Sequence, residues 1–329
     1  MNSRTVCVTL SEFCKDDDRP RRLLAESGFR TVENTTGRRV RPEELKSMLK
    51  DADAVIAGVE LYEAALLQAL PRLKCISRCG VGVDAIDLDA AKRQGIAILT
   101  TVDEVVEPVA QMTVGMVLAL ARNFPWHMRE FQANQWKKHT GVLLSEWSIG
   151  LVGFGRIGRR VEALLRAFGC RILISDPCVA PDSLPPGTTL CDLPSLLRQA
   201  DLVSLHAARP AEYGPILGRF ELQSMKPGAR LVNTARGHLI DQQALTDALQ
   251  SGHLGAAALD VFDVEPYEGV LGTLPQVLCT PHVGTLTHAS RAAMELRAVT
   301  NVLAWYSGQD AHGRYPKMLD FAHPEPSPA

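Results

Sequence analysis

Ser148-Ile149-Gly150-Leu151-Val152-Gly153-Phe154-Gly155-Arg156-Ile157-Gly158 is the stretch that decides the fold. An apolar run, Ile149–Val152, leads into three glycines spaced G-x-G-x-x-G. Ile157 then opens an amphipathic segment in which Ile157, Val161, Leu164, Leu165 and Phe168 share one face. Strand, tight turn and helix therefore follow in order. Gly153 permits the turn, Gly155 lets a pyrophosphate approach the backbone, and Gly158 lets helix and strand pack closely. The first helical N–H groups, at Arg156 and Ile157, suit phosphate oxygens, as does the positive end of the helix dipole. Asp176 ends the next apolar run, about 20 residues on, where a carboxylate would hold the adenosine ribose hydroxyls. Pro177 and Cys178 follow it, with no Arg to receive a 2′-phosphate, so NAD is favoured over NADP.

Working outward, strand-like runs recur at Arg171–Ser175, Leu202–Leu205, Arg230–Asn233, Ala256–Leu259 and Val277–Thr280, with helical patterns between them. Asp192 and Asp241 precede two of these helices as N-caps, and Gly252 closes the second. This six-strand alternation is the layout of a doubly wound nucleotide-binding domain. The first hundred residues alternate in the same style. Val6–Leu10, Ala54–Ala57, Cys75–Ser77 and Ala97–Leu99 read as buried strands, with helices over 42–50 and 64–70. A further helix spans 109–120 and a last one 288–307. Residues 123–145 show no clear period and read either as an exposed arm or as an ordinary loop. The proline-rich tail after about residue 315 reads as disordered.

Composition sets the outer limits. The chain has 329 residues, enough for two domains, with 46% hydrophobic and 22% charged residues. The net charge of −2 carries no basic stripe, which argues against nucleic acid as a partner. No apolar stretch is long enough for a membrane span, and the first ten residues lack the form of a signal peptide. Eight cysteines form no C-x-x-C pair, so no metal site is expected, and a reducing, cytoplasmic setting is.

The polar residues that follow the apolar strands gather at one rim. Asp176, His206, Arg236, Asp260, Glu265 and His282 all lie just beyond a strand's carboxyl end, where ligands of open α/β sheets bind. Reduction of a 2-keto acid needs a cation for the carboxylate and carbonyl, an acid for the forming alkoxide, and a group that keeps the acid charged. Arg236 suits the first task, because a guanidinium matches a carboxylate in a planar fork. His282 suits the second, since histidine ordinarily titrates near about 6.5. Glu265 suits the third, as a carboxylate beside an imidazole favours its charged form and fixes the ring. Keto-acid reduction is accordingly expected to fall at alkaline pH. His206 reads as structural, lining the cofactor crevice.

The segments SRCGVGVDAIDLDAAKRQGI (77–96), GLVGFGRIGRRV (150–161), DLVSLH (201–206), MKPGARLVNTARGHLIDQQAL (225–245), GAAALDVFDVEP (255–266) and TPHVGT (280–285) resemble the D-isomer-specific 2-hydroxyacid dehydrogenases. The resemblance is to the branch containing D-3-phosphoglycerate dehydrogenases. It implies two doubly wound α/β domains. A Rossmann-type cofactor domain, residues 104–288, is inserted into a flavodoxin-like substrate domain, residues 1–103 and 289–329. It implies catalysis by Arg236, Glu265 and His282, with NAD as cofactor and a small 2-hydroxy or 2-keto acid as substrate. Asp260 would contact the nicotinamide carboxamide, and Ala207, Thr234, Ala235 and Gly284 would complete the cofactor contacts. The backbone of Val81 and Gly82 would hold the substrate carboxylate, with Arg78 for a further anionic group. It also implies a homodimer joined through about 104–146.

The chain departs from that branch in places. Ala57-Gly58-Val59-Glu60 carries no base where phosphoglycerate-specific relatives often have one, which puts that substrate in doubt. Ala207-Ala208-Arg209-Pro210 replaces a Leu-Pro-Leu-Thr-like segment. No additional regulatory domain is expected after the last helix. Two alternatives stay open: a protein that senses NAD(H) without turnover, and a dehydrogenase acting on formate or phosphite.

Overall fold

Parallel strands covered on both faces need apolar side chains on both, and the runs read from the sequence meet that need. The computed structural model describes residues 4–309 and 314–315. The chain divides into two units, Met1–Val105 with Leu286–Ala329, and Val106–Thr285.

In the second unit seven parallel strands form one sheet. Their order is Thr188–Leu190, Arg171–Ser175, Ser148–Val152, Leu202–Leu205, Arg230–Asn233, Ala256–Leu259, Val277–Cys279. Numbered along the unit this is 3-2-1-4-5-6-7, the doubly wound order with one strand added. Successive side chains point to opposite faces. Ile149, Leu151, Leu202 and Val232 join Val161 and Leu165 on one face. Val152, Val203, Leu205 and Leu231 join Leu196, Leu245 and Leu249 on the other. Gly150 has no side chain because Leu196 fills its space: a Cβ there would lie 2.4 Å from Leu196 Cδ2. The helix Val106–Ala121 buries Val109, Thr113, Met116, Val117 and Leu120 and packs on the helix Arg156–Leu165.

The first unit carries a five-stranded parallel sheet in the order Arg30–Glu33, Thr5–Val8, Ala54–Ala57, Cys75–Arg78, Ala97–Thr100. Arg314–Tyr315 adds an antiparallel edge. The parallel order, 2-1-3-4-5, is flavodoxin-like. Ala54 and Ile56 face a core shared with Leu24, Val299 and Val302. Val55 and Ala57 face Leu45, Leu49 and Leu67 on the opposite side. The long helix His288–Tyr306 packs on the strand Cys75–Arg78 and on the helix Arg19–Glu26.

Helix ends follow the capping residues. Asp192 accepts from Ser195 N–H at 2.7 Å and Asp241 from Ala244 N–H at 2.9 Å. Each such cap is worth about 1 kcal/mol. Gly252, at φ +76°, closes the helix Gln242–Gln250. Several elements depart from the sequence reading, the helices Arg19–Glu26 and Leu88–Arg93 among them. The strands Arg30–Glu33 and Thr188–Leu190 sit at sheet edges, and Phe124–Gln132 is a helix. The expectation of a disordered tail falls on residues 316–329, outside the described residues. Among the described residues no helix is long and apolar enough to cross a membrane.

Candidate active site

The glycine turn has the form its spacing predicts. Gly153 adopts φ +92°, and a Cβ there would lie 2.5 Å from the backbone nitrogen of Ala207. Ala207 therefore lies directly against the turn. A Cβ on Gly158 would meet the carbonyl oxygen of Gly153 at 2.4 Å, so any side chain would force helix and strand apart. Gly155 differs, because nothing lies within 4 Å of its Cβ position. That open side, in front of the first N–H groups of the helix Arg156–Leu165, is where a pyrophosphate can reach the backbone. Asp176 Oδ2 accepts from Phe154 N–H at 2.6 Å and Oδ1 from Cys178 N–H at 2.8 Å. Each carboxylate oxygen keeps a further lone pair for a ribose hydroxyl. These residues fit a dinucleotide.

Beside the turn, His206 bonds through Nε2 to Ser204 Oγ at 2.9 Å. Burial pushes its pKa down to about 4. The ring is thus neutral at working pH and is no proton donor. Because the folded value lies below the ordinary one, protonation favours the unfolded chain, so stability present above about pH 6.5 is lost as pH falls towards 4. Some exposure of the ring reduces the effect to roughly 1–3 kcal/mol. Urea titrations at pH 7 and pH 4.5 are expected to show this loss, and His206→Gln to remove it. Unchanged acid sensitivity in that variant would assign the loss to other groups.

The rim beyond the strands Ala256–Leu259 and Val277–Cys279 holds the titratable pair. His282 Nδ1 lies 2.8 Å from Glu265 Oε2, with the side chains 50% and 36% exposed. Glu265 is itself held by Phe262 N–H, 3.0 Å from Oε1. With Nδ1 turned to the carboxylate, Nε2 is the nitrogen available to a substrate. His282 sits at φ +53°, where L-residues are uncommon. Its N–H donates to the carbonyls of Asp260 at 2.8 Å and Thr280 at 3.0 Å.

Asp260, 1% exposed, organises this turn. Its Oδ1 accepts from Thr280 Oγ1 at 2.5 Å and Val283 N–H at 2.9 Å, and its Oδ2 from Gly284 N–H at 2.8 Å. A buried carboxylate satisfied by three donors is a strong local fixture. Its second role, towards a nicotinamide carboxamide, stands on the resemblance alone.

Arg236 follows the strand Arg230–Asn233. Its Nη1 donates to the Ala235 carbonyl at 2.7 Å, and its own carbonyl accepts from Asn233 Nδ2 at 2.7 Å. The next residue, Gly237, approaches the segment that leads to Glu265. A Cβ on Gly237 would lie 1.9 Å from the Phe262 carbonyl carbon. The backbone after Arg236 therefore touches the backbone between Asp260 and Glu265, a contact that sequence reasoning missed. Thr234 Oγ1 meets Thr113 Oγ1 at 2.8 Å, both buried. Gly284 packs against Asp260.

Arg78, Val81 and Gly82 belong to the first unit: Arg78 ends the strand Cys75–Arg78, and Val81 and Gly82 lie on the loop after it. The Arg78 guanidinium lies across Gly80 and donates to the Cys79 carbonyl. Arg209, unexplained by sequence, donates to the Tyr213 carbonyl, and its own carbonyl bonds to His238 Nε2 at 2.7 Å.

Comparison with known proteins gives the family. Residues 114–284 match the model of the D-isomer specific 2-hydroxyacid dehydrogenase, NAD binding domain. A D-3-phosphoglycerate dehydrogenase of Methanocaldococcus jannaschii is 38% identical over 279 residues, 83% of this chain and 52% of that protein. The chain thus spans about half the length of the phosphoglycerate dehydrogenases it matches. A hydroxypyruvate reductase of Thermotoga maritima is 33% identical over 81% of this chain and 89% of its own. The crystal structure of a glyoxylate reductase from Paecilomyes thermophila superposes with a TM-score of 0.86 at 29% identity, covering 97% of this chain and 100% of that one. The chain belongs to the D-isomer specific 2-hydroxyacid dehydrogenase family, and its second unit is that family's NAD-binding domain.

Proposed function

We propose that the chain interconverts a small D-2-hydroxy acid and its 2-keto acid with NAD. The observation that supports this reading is the Glu265–His282 pair, together with the approach of Gly237, the residue after Arg236, to the Phe262 and Asp263 backbone. Bound NAD supplies or receives the hydride. In the reductive direction Arg236 binds the carboxylate and polarises the carbonyl, stabilising the charge that develops on oxygen. His282 gives the proton from Nε2 to that oxygen, and Glu265 holds the ring and stabilises its charged form. In the oxidative direction neutral His282 takes the hydroxyl proton. Val81, Gly82 and Arg78 are the substrate contacts of this reading, and Asp176, followed by Pro177 and Cys178 rather than an Arg, favours NAD over NADP.

The expected result is NADH oxidation by at least one member of a keto-acid panel containing glyoxylate, pyruvate, hydroxypyruvate and phosphohydroxypyruvate, with NADPH poorer. Silence across the panel, with NADH still bound, would favour a sensing role without turnover. A homodimer through about 104–146 completes the reading. It is supported by Phe124, Met128, Phe131, Trp136 and Leu143, large apolar side chains exposed on that stretch. A cytoplasmic setting is supported by the eight cysteines, which are all free thiols.

A further inference from the structure

Glu265 reaches His282 from a short segment that nothing covers. Residues 263–266 are all exposed, Val264 at 70%. A side chain on such a segment keeps one place only if both ends of the segment are held. Here both ends are. Phe262, before the exposed residues, is 9% exposed and packs in the core with Leu239, Leu259 and Leu271. Tyr267, after them, lays its ring flat on that of Phe262, with centroids 4.3 Å apart and planes 11° from parallel.

The Tyr267 hydroxyl is fastened as well. It accepts from the N–H of Leu271, a fully buried residue, at 3.2 Å. The ring has room because Gly269 has no side chain: a Cβ there would lie 2.3 Å from the hydroxyl oxygen. The stack therefore closes the loop at its neck and ties it to the core. The backbone N–H of Phe262, at that neck, donates to Glu265 Oε1 at 3.0 Å, while Oε2 faces His282 Nδ1 at 2.8 Å. Among the described residues these are the only hydrogen bonds of the carboxylate.

We propose that Tyr267 is a positioning residue for the reaction: through its stack on Phe262 it fixes the N–H that holds Glu265, and so the carboxylate that holds His282. The proposal rests on the dehydrogenase reading and adds to it a residue that acts only through Glu265. Without the Tyr267 ring the neck opens, and the Phe262 N–H and the carboxylate drift together. A displacement of about 1 Å in a group that orients the acid costs up to about 10²-fold in rate.

Steady-state kinetics tests this with NADH and the best substrate among glyoxylate, pyruvate, hydroxypyruvate and phosphohydroxypyruvate. Tyr267→Ala is expected to lower kcat about 10- to 100-fold, with KM changed less than about threefold. Tyr267→Phe keeps the stack and loses only the bond to Leu271. It is expected to recover kcat to within about threefold of the wild type while melting about 2–6 °C lower. The same alanine change made on top of Glu265→Ala is expected to alter kcat less than about threefold, because no carboxylate remains to be placed. Tyr267→Leu takes the place of the alanine variant if the latter does not fold, as its melting curve reports. An equal loss in both backgrounds, or a wild-type kcat in Tyr267→Ala, overturns the assignment of Tyr267 while the dehydrogenase reading stands. A wild type inert on all four acids while NADH binds overturns both.

Discussion

Arg236→Ala is expected to lower kcat/KM for keto-acid reduction about 10³-fold, with the affinity for NADH changed no more than severalfold. The guanidinium follows a sheet strand and sits on the Ala235 carbonyl, one residue before the contact of Gly237 with the 260–265 segment. In the proposed reading it holds the substrate carboxylate bidentately and stabilises the oxygen that gains charge during hydride transfer. An interaction strengthened in the transition state lowers kcat when removed, rather than only raising KM. Arg236→Lys is expected to recover little, because an ammonium offers a point charge where a planar fork is needed. Steady-state kinetics and a fluorescence titration with NADH separate the two effects. A loss below tenfold in kcat/KM would remove Arg236 from the chemistry.

The second large effect is structural. Gly237→Ala places a methyl group 1.9 Å from the Phe262 carbonyl carbon and 2.2 Å from the Asp263 nitrogen. Backbone cannot step aside as a flexible side chain can, so one of the two loops must move. The expected cost is about 3–5 kcal/mol, in the range where overpacking and strain combine. For a unit of this size that lowers its melting temperature by about 10 °C. Activity is expected to fall far more than NADH binding, because the displaced loops carry Arg236 and Glu265 whereas the glycine turn at 153–158 is untouched. Calorimetry on the variant reads the first effect and the NADH titration the second. A variant that melts with the wild type would mean the two loops are not in contact.

Strands at the centre of each sheet were legible because burial on both faces demands continuous apolar runs, as in Leu202–Leu205 and Ala54–Ala57. Edge strands escape that demand. Arg30–Glu33 reads R-T-V-E and Thr188–Leu190 has three residues, so neither carries a pattern to detect. The helix Phe124–Gln132 buries only Pro125, so little apolar periodicity is imposed on it. Asp192 and Asp241 were legible as caps because the bond each makes is local.

The same division applies to the site. Arg236, Glu265 and His282 stand out as candidates in the sequence because each lies a few residues beyond an apolar run and carries a chemically apt side chain. The close approach of Gly237 to the Phe262 backbone was not legible, because a glycine after an arginine reads as a turn until the facing backbone is known. Glu60 is turned inward with no local signal for it. Between Val59 and Leu61 a charged residue reads as the exposed one, yet the hydroxyl of Thr9 and the N–H of Gly58 draw the carboxylate inward. Bonds to residues some fifty positions away leave no trace in local pattern.

The turn around His282 is fastened twice, by different acids. Asp260 grips its main chain, while Glu265 grips only the imidazole. Main chain and imidazole are thus separately anchored, so losing the Glu265 carboxylate frees the ring while the Asp260 bonds to the turn persist.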